Sequence, residues 1–166
     1  NPDVNFSVLT LSASGPVVYL GGDFTTVNGV TRNRAAAVDA TSGLVTSWNP
    51  DVNQSVFALS VTGNNVYFGG NFTLVNGANS RNYAAGVDRV SGALTAWDPN
   101  FESSVYAMAT DCSMGGLAVG GHFVSVGQIV RSRFAILEDG VVCSVFEADA
   151  GTDAGTDAGT DAGTDA

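Results

Sequence analysis

The stretch VVYLGGDFTTVNG at residues 17–29 decides the fold, because the chain contains it three times. It returns as NVYFGGNFTLVNG at 65–77 and, less closely, as GLAVGGHFVSVGQ at 116–128. Each copy is an apolar run that ends at a double glycine and a phenylalanine, and two copies end on Asn-Gly. Short apolar runs bounded by glycine and asparagine are typical of β-strands joined by tight turns. The repeat therefore predicts an all-β fold built from equivalent units.

The similarity extends to both sides of this stretch. Upstream, the segments that correspond are NPDVNFSVLTL at Asn1, NPDVNQSVFAL at Asn49 and DPNFESSVYAM at Asp98. Downstream, they are RNRAAAVD at 32–39, RNYAAGVD at 81–88 and RSRFAILE at 131–138, and each unit closes on an aromatic residue: Trp48, Trp97 and Phe146. We therefore predict one β domain at 1–146, with units at 1–48, 49–97 and 98–146, and a separate tail at 147–166.

Within a unit the pattern predicts four short strands, which in the first unit are 7–14, 16–24, 34–40 and 44–50. A glycine pair at the end of a strand indicates a bulge or a close backbone approach, after which the phenylalanine would enter the core between units. The residues concerned are Gly21, Gly22 and Phe24; Gly69, Gly70 and Phe72; and Gly120, Gly121 and Phe123. An arginine and an acid also recur in the third strand, as Arg32 with Asp39, Arg81 with Asp88 and Arg131 with Glu138. We expect one Arg–carboxylate link per unit, with a ligand-facing ring as the alternative.

These residues resemble the delta-60 repeat, a bacterial β-propeller family of undefined function. The resemblance covers residues 1–146, and it implies four-stranded blades around an axis but no particular chemistry. The third unit departs from the pattern, since Gln128 replaces the turn glycine, Phe146 replaces tryptophan and two cysteines appear. Such drift suits a terminal or capping unit.

Three units are too few for a propeller, which typically has four to eight blades. The chain also begins with Asn1-Pro2-Asp3, a sequence that elsewhere follows the closing tryptophan, as if another unit preceded it. We therefore expect either further repeats in a longer chain or self-association of copies. A β-trefoil is the alternative fold, because it is built from three units of four strands and needs no partner.

Charge excludes some classes of partner. The net charge is −10, and all Lys or Arg positions are arginine. From Glu147 onward, every charged side chain is acidic. Without a basic stripe, binding to nucleic acid is not expected. No apolar run reaches the roughly 20 residues of a membrane span, so membrane insertion is not expected either.

The third unit and the tail carry the candidate modifications. Cys112 and Cys143 would form a disulfide in an oxidising compartment, the alternative being two buried thiols. The tail is four copies of GTDA after a degenerate fifth, and it lacks the apolar side chains needed to fold alone. Its threonines could be O-glycosylated, it could add as a strand to a neighbouring subunit, or, less favourably, its aspartates could bind Ca²⁺. The residues are Thr152, Thr156, Thr160 and Thr164, and Asp153, Asp157, Asp161 and Asp165.

No set of residues predicts catalysis. His122 is the only histidine and occupies a variable position of the repeat, and we find no triad or metal-binding motif. We therefore expect no enzyme and no cofactor. Sequons for N-glycosylation stand at Asn5, Asn53 and Asn71.

The sequence thus favours a secreted or cell-surface structural protein, in which the repeat body is a rigid module and the tail is a linker or fibre-forming segment. The alternative is a surface-displayed, adhesin-like or lectin-like module that binds glycans or proteins. Its candidate contact residues are Tyr19, Tyr67, Tyr83 and Tyr106, although packing in the core is the simpler interpretation of each.

Overall fold

The computed structural model describes residues 1–111 and 116–138, except for the side chains of Asp111 and Glu138. Within these residues every regular element is a β-strand, which confirms the predicted all-β class. The strands form three equivalent sets of five. The first set is β1 (Val8–Ser14), β2 (Val17–Gly22), β3 (Thr26–Val27), β4 (Val30–Thr31) and β5 (Ala35–Asp39). The second is β6 (Val56–Thr62), β7 (Asn65–Gly70), β8 (Leu74–Val75), β9 (Asn79–Ser80) and β10 (Ala84–Asp88). The third is β11 (Val105–Asp111), β12 (Gly116–Gly121), β13 (Ser125–Val126), β14 (Ile129–Val130) and β15 (Phe134–Glu138).

In each unit the three long strands form an antiparallel sheet with the second strand in the centre. The orders are β1-β2-β5, β6-β7-β10 and β11-β12-β15, and the short strands of each unit form a separate hairpin. This meander is the strand order of a propeller blade. None of the sheets formed by the described residues closes into a barrel that joins all three units, as a β-trefoil would require.

The Asn-Gly signals mark the tips of the short hairpins. Asn28 and Gly29 have φ angles of 50° and 73°, and Asn76 and Gly77 have 51° and 75°. Two consecutive positive φ angles define the type I′ turn that suits a two-residue hairpin, and Asn-Gly is its preferred sequence. The sequence therefore predicted these turns, but the two-residue strands around them were too short to be recognised.

The predicted fourth strand at 44–50 is wrong as a full strand. The segment joins the sheet through one isolated bridge, Val38 to Val45, and the second unit has the same bridge from Val87 to Leu94. The Oγ1 atom of Thr46 accepts a hydrogen bond from the backbone N–H of Trp48 at 3.2 Å, so the chain turns away from the sheet edge. Such local side-chain bonds compete with strand pairing.

The double glycines confirm the predicted close backbone approach. A Cβ on Gly22, Gly70 or Gly121 would lie between 2.0 and 2.2 Å from a backbone oxygen of Ser7, Ser55 or Ser104, respectively. The opposite strand is irregular at the same level, for example between Val56 and Ala58. Only glycine fits here.

The phenylalanines that follow the double glycines, Phe24, Phe72 and Phe123, are fully buried. Phe72 and Phe123 lie in the core between units, as predicted, whereas Phe24 lies in a cluster of its own unit's residues. The chain is therefore fixed at the end of each central strand, which delivers one large aromatic ring to the core.

We predict that Gly70→Ala destabilises the fold by about 1–3 kcal/mol, because the added methyl group collides with rigid backbone. Urea unfolding, repeated over a range of protein concentrations to remove any contribution from association, measures the change. The control is Gly120→Ala, where the nearest atoms lie 3.7 and 3.8 Å from the added Cβ. Equal stability of the two variants would contradict the steric explanation.

Candidate functional site

The surface that dominates this protein is the one through which successive units pack. Each sheet has a forward face, directed at the next unit, and a rear face, directed at the preceding one. In the first unit the forward face carries Tyr19, Ala35, Ala37 and Trp48. These side chains share one buried cluster with the rear face of the second unit: Val52, Val56, Leu59, Val66, Phe68, Phe72, Val75, Ala85 and Val87.

The second and third units pack in the same way. Tyr67 and Ala84 on the forward face of the second unit share a cluster with Phe101, Val105, Leu117, Val119, Phe123 and Ala135 of the third. In both interfaces a tyrosine meets a tryptophan edge-on: Tyr19 with Trp48 and Tyr67 with Trp97, each with ring centroids 5.1 Å apart. The geometry is therefore one interface used twice.

Hydrogen bonds fix the register between the first two units. The indole N–H of Trp48 donates to the carbonyl of Asp88 at 3.1 Å, and the hydroxyl of Tyr19 donates to the carbonyl of Arg89 at 2.9 Å. Burial raises the pKa of Tyr19, which keeps this donor protonated. The amide of Asn33 donates to the carboxylate of Asp51 at 2.7 Å.

The first glycine of each pair is a socket for the next unit. A Cβ on Gly21 would lie 2.6 Å from Val56, and one on Gly69 would lie 2.4 Å from Val105. At Gly120, the equivalent position of the third unit, the nearest described side-chain atom is the Cβ of Ala107 at 3.7 Å. The third socket is thus open among the residues that the structure describes.

The rear face of the first unit is open along its first strand. Val8 and Leu11 are 38% and 65% exposed, whereas their equivalents Val56 and Leu59 are 0% and 7% exposed. Phe6, which stands where the second unit has Gln54, is also exposed. Val8 and Leu11 therefore form an apolar edge whose equivalent the second unit buries and the first does not, whereas Gln54, the equivalent of Phe6, is exposed as well.

The forward face of the third unit is open as well. Phe134 and Ile136 are 58% and 48% exposed, and they occupy the positions of the buried Ala84 and Gly86. A capping unit is expected to carry a polar outer face. The interpretation of the third unit as a cap is therefore wrong for this face.

The predicted pairings of Arg32 with Asp39 and of Arg81 with Asp88 are wrong. Arg32 donates to the carbonyls of Thr31 and Thr46, and Arg81 donates to those of Ser80 and Thr95. Arg81 also forms an ion pair with Asp98 at 3.5 Å. The third pair, Arg131 with Glu138, cannot be compared because the Glu138 side chain lies outside the described residues.

The acids of the predicted links serve a turn instead. Asp39 accepts hydrogen bonds from the backbone of Thr41 and Ser42 and from the Ser42 hydroxyl, and Asp88 accepts the same set from Val90 and Ser91. The backbone and hydroxyl bonds from the serine hold the pKa of each carboxyl below its ordinary value. Carboxylates that accept several such bonds favour their charged form.

Two of the sequon asparagines have a structural role that the sequence did not indicate. Asn53 accepts hydrogen bonds from the backbone of Thr73 and Leu74, each at 3.0 Å, and donates to the Thr73 hydroxyl at 3.1 Å. Asn5 makes the equivalent bonds to Thr25 and Thr26. Each asparagine ties the entry segment of its unit to the short hairpin.

Glu102 performs the same function in the third unit. Its carboxylate accepts from the backbone of Val124 and Ser125 and from the Ser125 hydroxyl. Burial raises the pKa of Glu102, but these bonds outweigh it, and the net effect lowers the pKa. The third sequon residue, Asn71, has its amide oxygen buried without a hydrogen-bond partner.

The other predicted site residues do not converge. His122 is exposed and meets Tyr106 edge-on, and Tyr106 is the most exposed of the four candidate tyrosines, whereas Tyr19 and Tyr67 are buried. Among the described residues, no group of three acids, cysteines or histidines lies close enough to hold a metal ion. A groove of about 600 Å³ runs beside Trp97 and Ile136, and its described lining has Asp98 and Arg131 as ionisable groups.

The cysteines, the closing aromatic of the third unit and the candidate sites of the tail lie outside the described residues. They are Cys112 and Cys143, Phe146, the tail threonines Thr152, Thr156, Thr160 and Thr164, and the aspartates Asp153, Asp157, Asp161 and Asp165. In the part of the chain that is described, no helix is long and apolar enough to cross a membrane.

We predict that Asn53→Ala lowers the free energy of unfolding by about 1–2 kcal/mol, because two backbone N–H groups lose their acceptor. The neighbouring exposed variant Gln54→Ala is the control and should change stability by less than about 0.5 kcal/mol. Thermal and urea unfolding of both variants measure the difference. An Asn53→Ala variant as stable as the control would exclude the tie between entry segment and hairpin.

Acid should destabilise the fold through Asp39 and Asp88. Because their pKa values are lower in the folded protein than the ordinary 3.8, their contribution is complete above about pH 4 and is lost as the pH falls through the lowered values. The variant Asp88→Asn should be less stable than the wild type at neutral pH and should lose less stability on acidification. Parallel urea titrations between neutral and acidic pH measure this, and identical pH profiles would refute it.

Comparisons with known proteins assign no family. No protein-family model matches the sequence, and no curated protein matches it. Among solved structures, the crystal structure of the computationally designed Ika4 protein is similar to this chain, with 16% identity and a TM-score of 0.49. The match covers 77% of this chain and 63% of the designed chain, so this chain spans less than two thirds of that protein. A match at this level carries no argument about fold or function.

Proposed function

We propose that this chain is a non-enzymatic, extracellular structural protein whose repeat body is a rigid assembly module. The observation that carries the proposal is the position of its exposed apolar side chains. Four of them lie on faces of the kind that bind each other inside the chain: Val8 and Leu11 on the rear face of the first unit, and Phe134 and Ile136 on the forward face of the third. Large exposed apolar surfaces on a folded protein generally mark interaction sites.

The membership of the delta-60 repeat family, the disulfide between Cys112 and Cys143 and the glycosylated tail belong to the same proposal. A disulfide requires an oxidising compartment, and a Thr-containing low-complexity stalk is typical of surface proteins. The repeat pattern itself supports the family resemblance, because the recurring glycine pairs and the phenylalanines that follow them take equivalent places in the three described units.

Intact mass spectrometry of the protein from its natural source tests the extracellular part. An oxidised Cys112–Cys143 pair would block alkylation until a reductant is added, and tail glycans would add hexose-sized increments to the chain mass of 16.9 kDa. Two freely alkylated thiols on an unmodified chain would contradict both features.

One observation favours the binding alternative. Tyr106 is 46% exposed, and its ring stacks on that of Phe57 with the two ring centroids 5.3 Å apart. It also meets the ring of His122 edge-on, so the three side chains form an aromatic ledge. Aromatic ledges are common sugar-stacking surfaces.

We expect the full chain to bind no ligand on a glycan array, because a purely structural module needs none. Saturable binding that Tyr106→Ala abolishes, while Tyr83→Ala leaves it intact, would establish the lectin-like function instead. The array therefore separates the structural function from the glycan-binding form of the alternative.

A further inference from the structure

We infer that two copies of this chain join head to tail into a closed ring of six units. In this ring the forward face of the third unit of each copy packs on the rear face of the first unit of the other. The inference rests on the proposed structural function and specifies the partner and the surface through which it acts.

The first argument is continuity with the interfaces inside the chain. The exposed first strand on the rear face of unit 1 and the forward face of unit 3 are the equivalents of surfaces that already bind each other twice, between units 1 and 2 and between units 2 and 3. The rest of that rear face, including Leu20, Ala36 and Val38, is already buried in a cluster of the first unit's own residues. Gly120 leaves open the socket that Gly21 and Gly69 offer to Val56 and Val105. The equivalent residue for that socket is Val8, which is exposed at the other end of the chain.

The second argument is a compensated exchange of side-chain volume on the open forward face. In the first two units a tyrosine on the central strand pairs across the sheet with a small residue, Tyr19 with Ala37 and Tyr67 with Gly86. In the third unit the large and small residues change places, as Ala118 pairs with Ile136. This exchange keeps volume, as a packed interface tolerates best, whereas Phe134 adds volume where the first two units have Ala35 and Ala84.

The polar groups at the two ends are also complementary. Where the first two units meet, the carboxylate of Asp23 accepts a hydrogen bond from the Ser55 hydroxyl. The equivalents at the open ends are His122 and Ser7, which can form a hydrogen bond of the same kind.

The shape of the units supports closure. The first strands of successive sheets, β1, β6 and β11, lie side by side, and β2 and β7 also approach the next unit, whereas β5 and β10 make no comparable backbone approach in the described chain. Each unit is therefore a wedge that is narrow at its first strand. Repeated head-to-tail contacts between wedges turn about an axis and form a ring when the rotation closes. Two copies supply six wedges, which lies within the four to eight blades of known propellers.

Sedimentation velocity of the full chain, over a roughly hundredfold range of micromolar concentration, tests the inference. We expect a discrete species of twice the 16.9 kDa chain mass that dissociates on dilution. A chain that stays monomeric throughout this range would overturn the proposal. Open-ended polymers would overturn the closed ring.

Charged variants on the two faces give a sharper test. Leu11→Arg on the rear face and Ile136→Glu on the forward face each place an unpaired charge in both junctions, which should weaken association about a hundredfold. Both residues are exposed in the single chain, so the variants should fold normally. Val90→Arg, which changes an exposed apolar side chain on the turn after β10, is the control and should remain dimeric.

Mixing the two charged variants should restore dimers. One junction of the mixed pair is then wild type, and the other brings the new arginine and glutamate together. If either charged variant alone still dimerises, the contact does not join forward to rear faces and the proposal is wrong. A negative outcome here leaves the extracellular function untouched, because mass spectrometry and glycan arrays do not depend on dimerisation.

Discussion

The structure depends on burying the forward face of one sheet against the rear face of the next. The first unit has a small buried cluster of its own around Phe24, but its Tyr19 and Trp48 share their buried cluster with Phe68, Phe72 and their neighbours in the second unit. A fully buried aromatic side chain stabilises the folded state by about 1.5–3 kcal/mol. Units of this size therefore gain most of their stability from contacts with the next unit, as in other repeat proteins.

This dependence explains why the repeat keeps its glycines and its closing tryptophan. The glycine pair lets the central strand approach both its own neighbour and the valine of the next unit, as Gly69 and Gly70 do. The tryptophan lies over the tyrosine of its own unit and, in Trp48, donates a hydrogen bond to the following unit. The glycine pair and the tryptophan both act between units. A sequence that repeats them therefore predicts that the units pack against each other, in addition to predicting the strands.

The sequence predicted what depends on steric exclusion and periodicity. Glycine at a close approach and Asn-Gly at a type I′ turn have few substitutes, and Gly70 and Asn76 behaved as expected. The sequence-based prediction failed where an exposed side chain has several possible hydrogen-bond partners. Asp39 was assigned to Arg32 by recurrence, but a turn three residues away supplied nearer donors. The sequence did not reveal the role of Glu102, because a glutamate does not resemble the asparagine at the equivalent position, Asn53. The structure shows that both side chains accept hydrogen bonds from the backbone of the short hairpin.

The third unit differs from the others in sequence, but its substitutions keep hydrogen bonds and apolar side chains that random substitution would lose. Random drift would lose hydrogen bonds and volume, yet Glu102 replaces an asparagine and keeps its bonds to the hairpin. On the open face, Ile136 gains the volume that Ala118 lost. A cap would instead have exchanged these apolar side chains for polar ones, since exposed apolar surface invites association. The third unit thus keeps apolar side chains of the kind that form an interface, on a face that the described residues leave exposed.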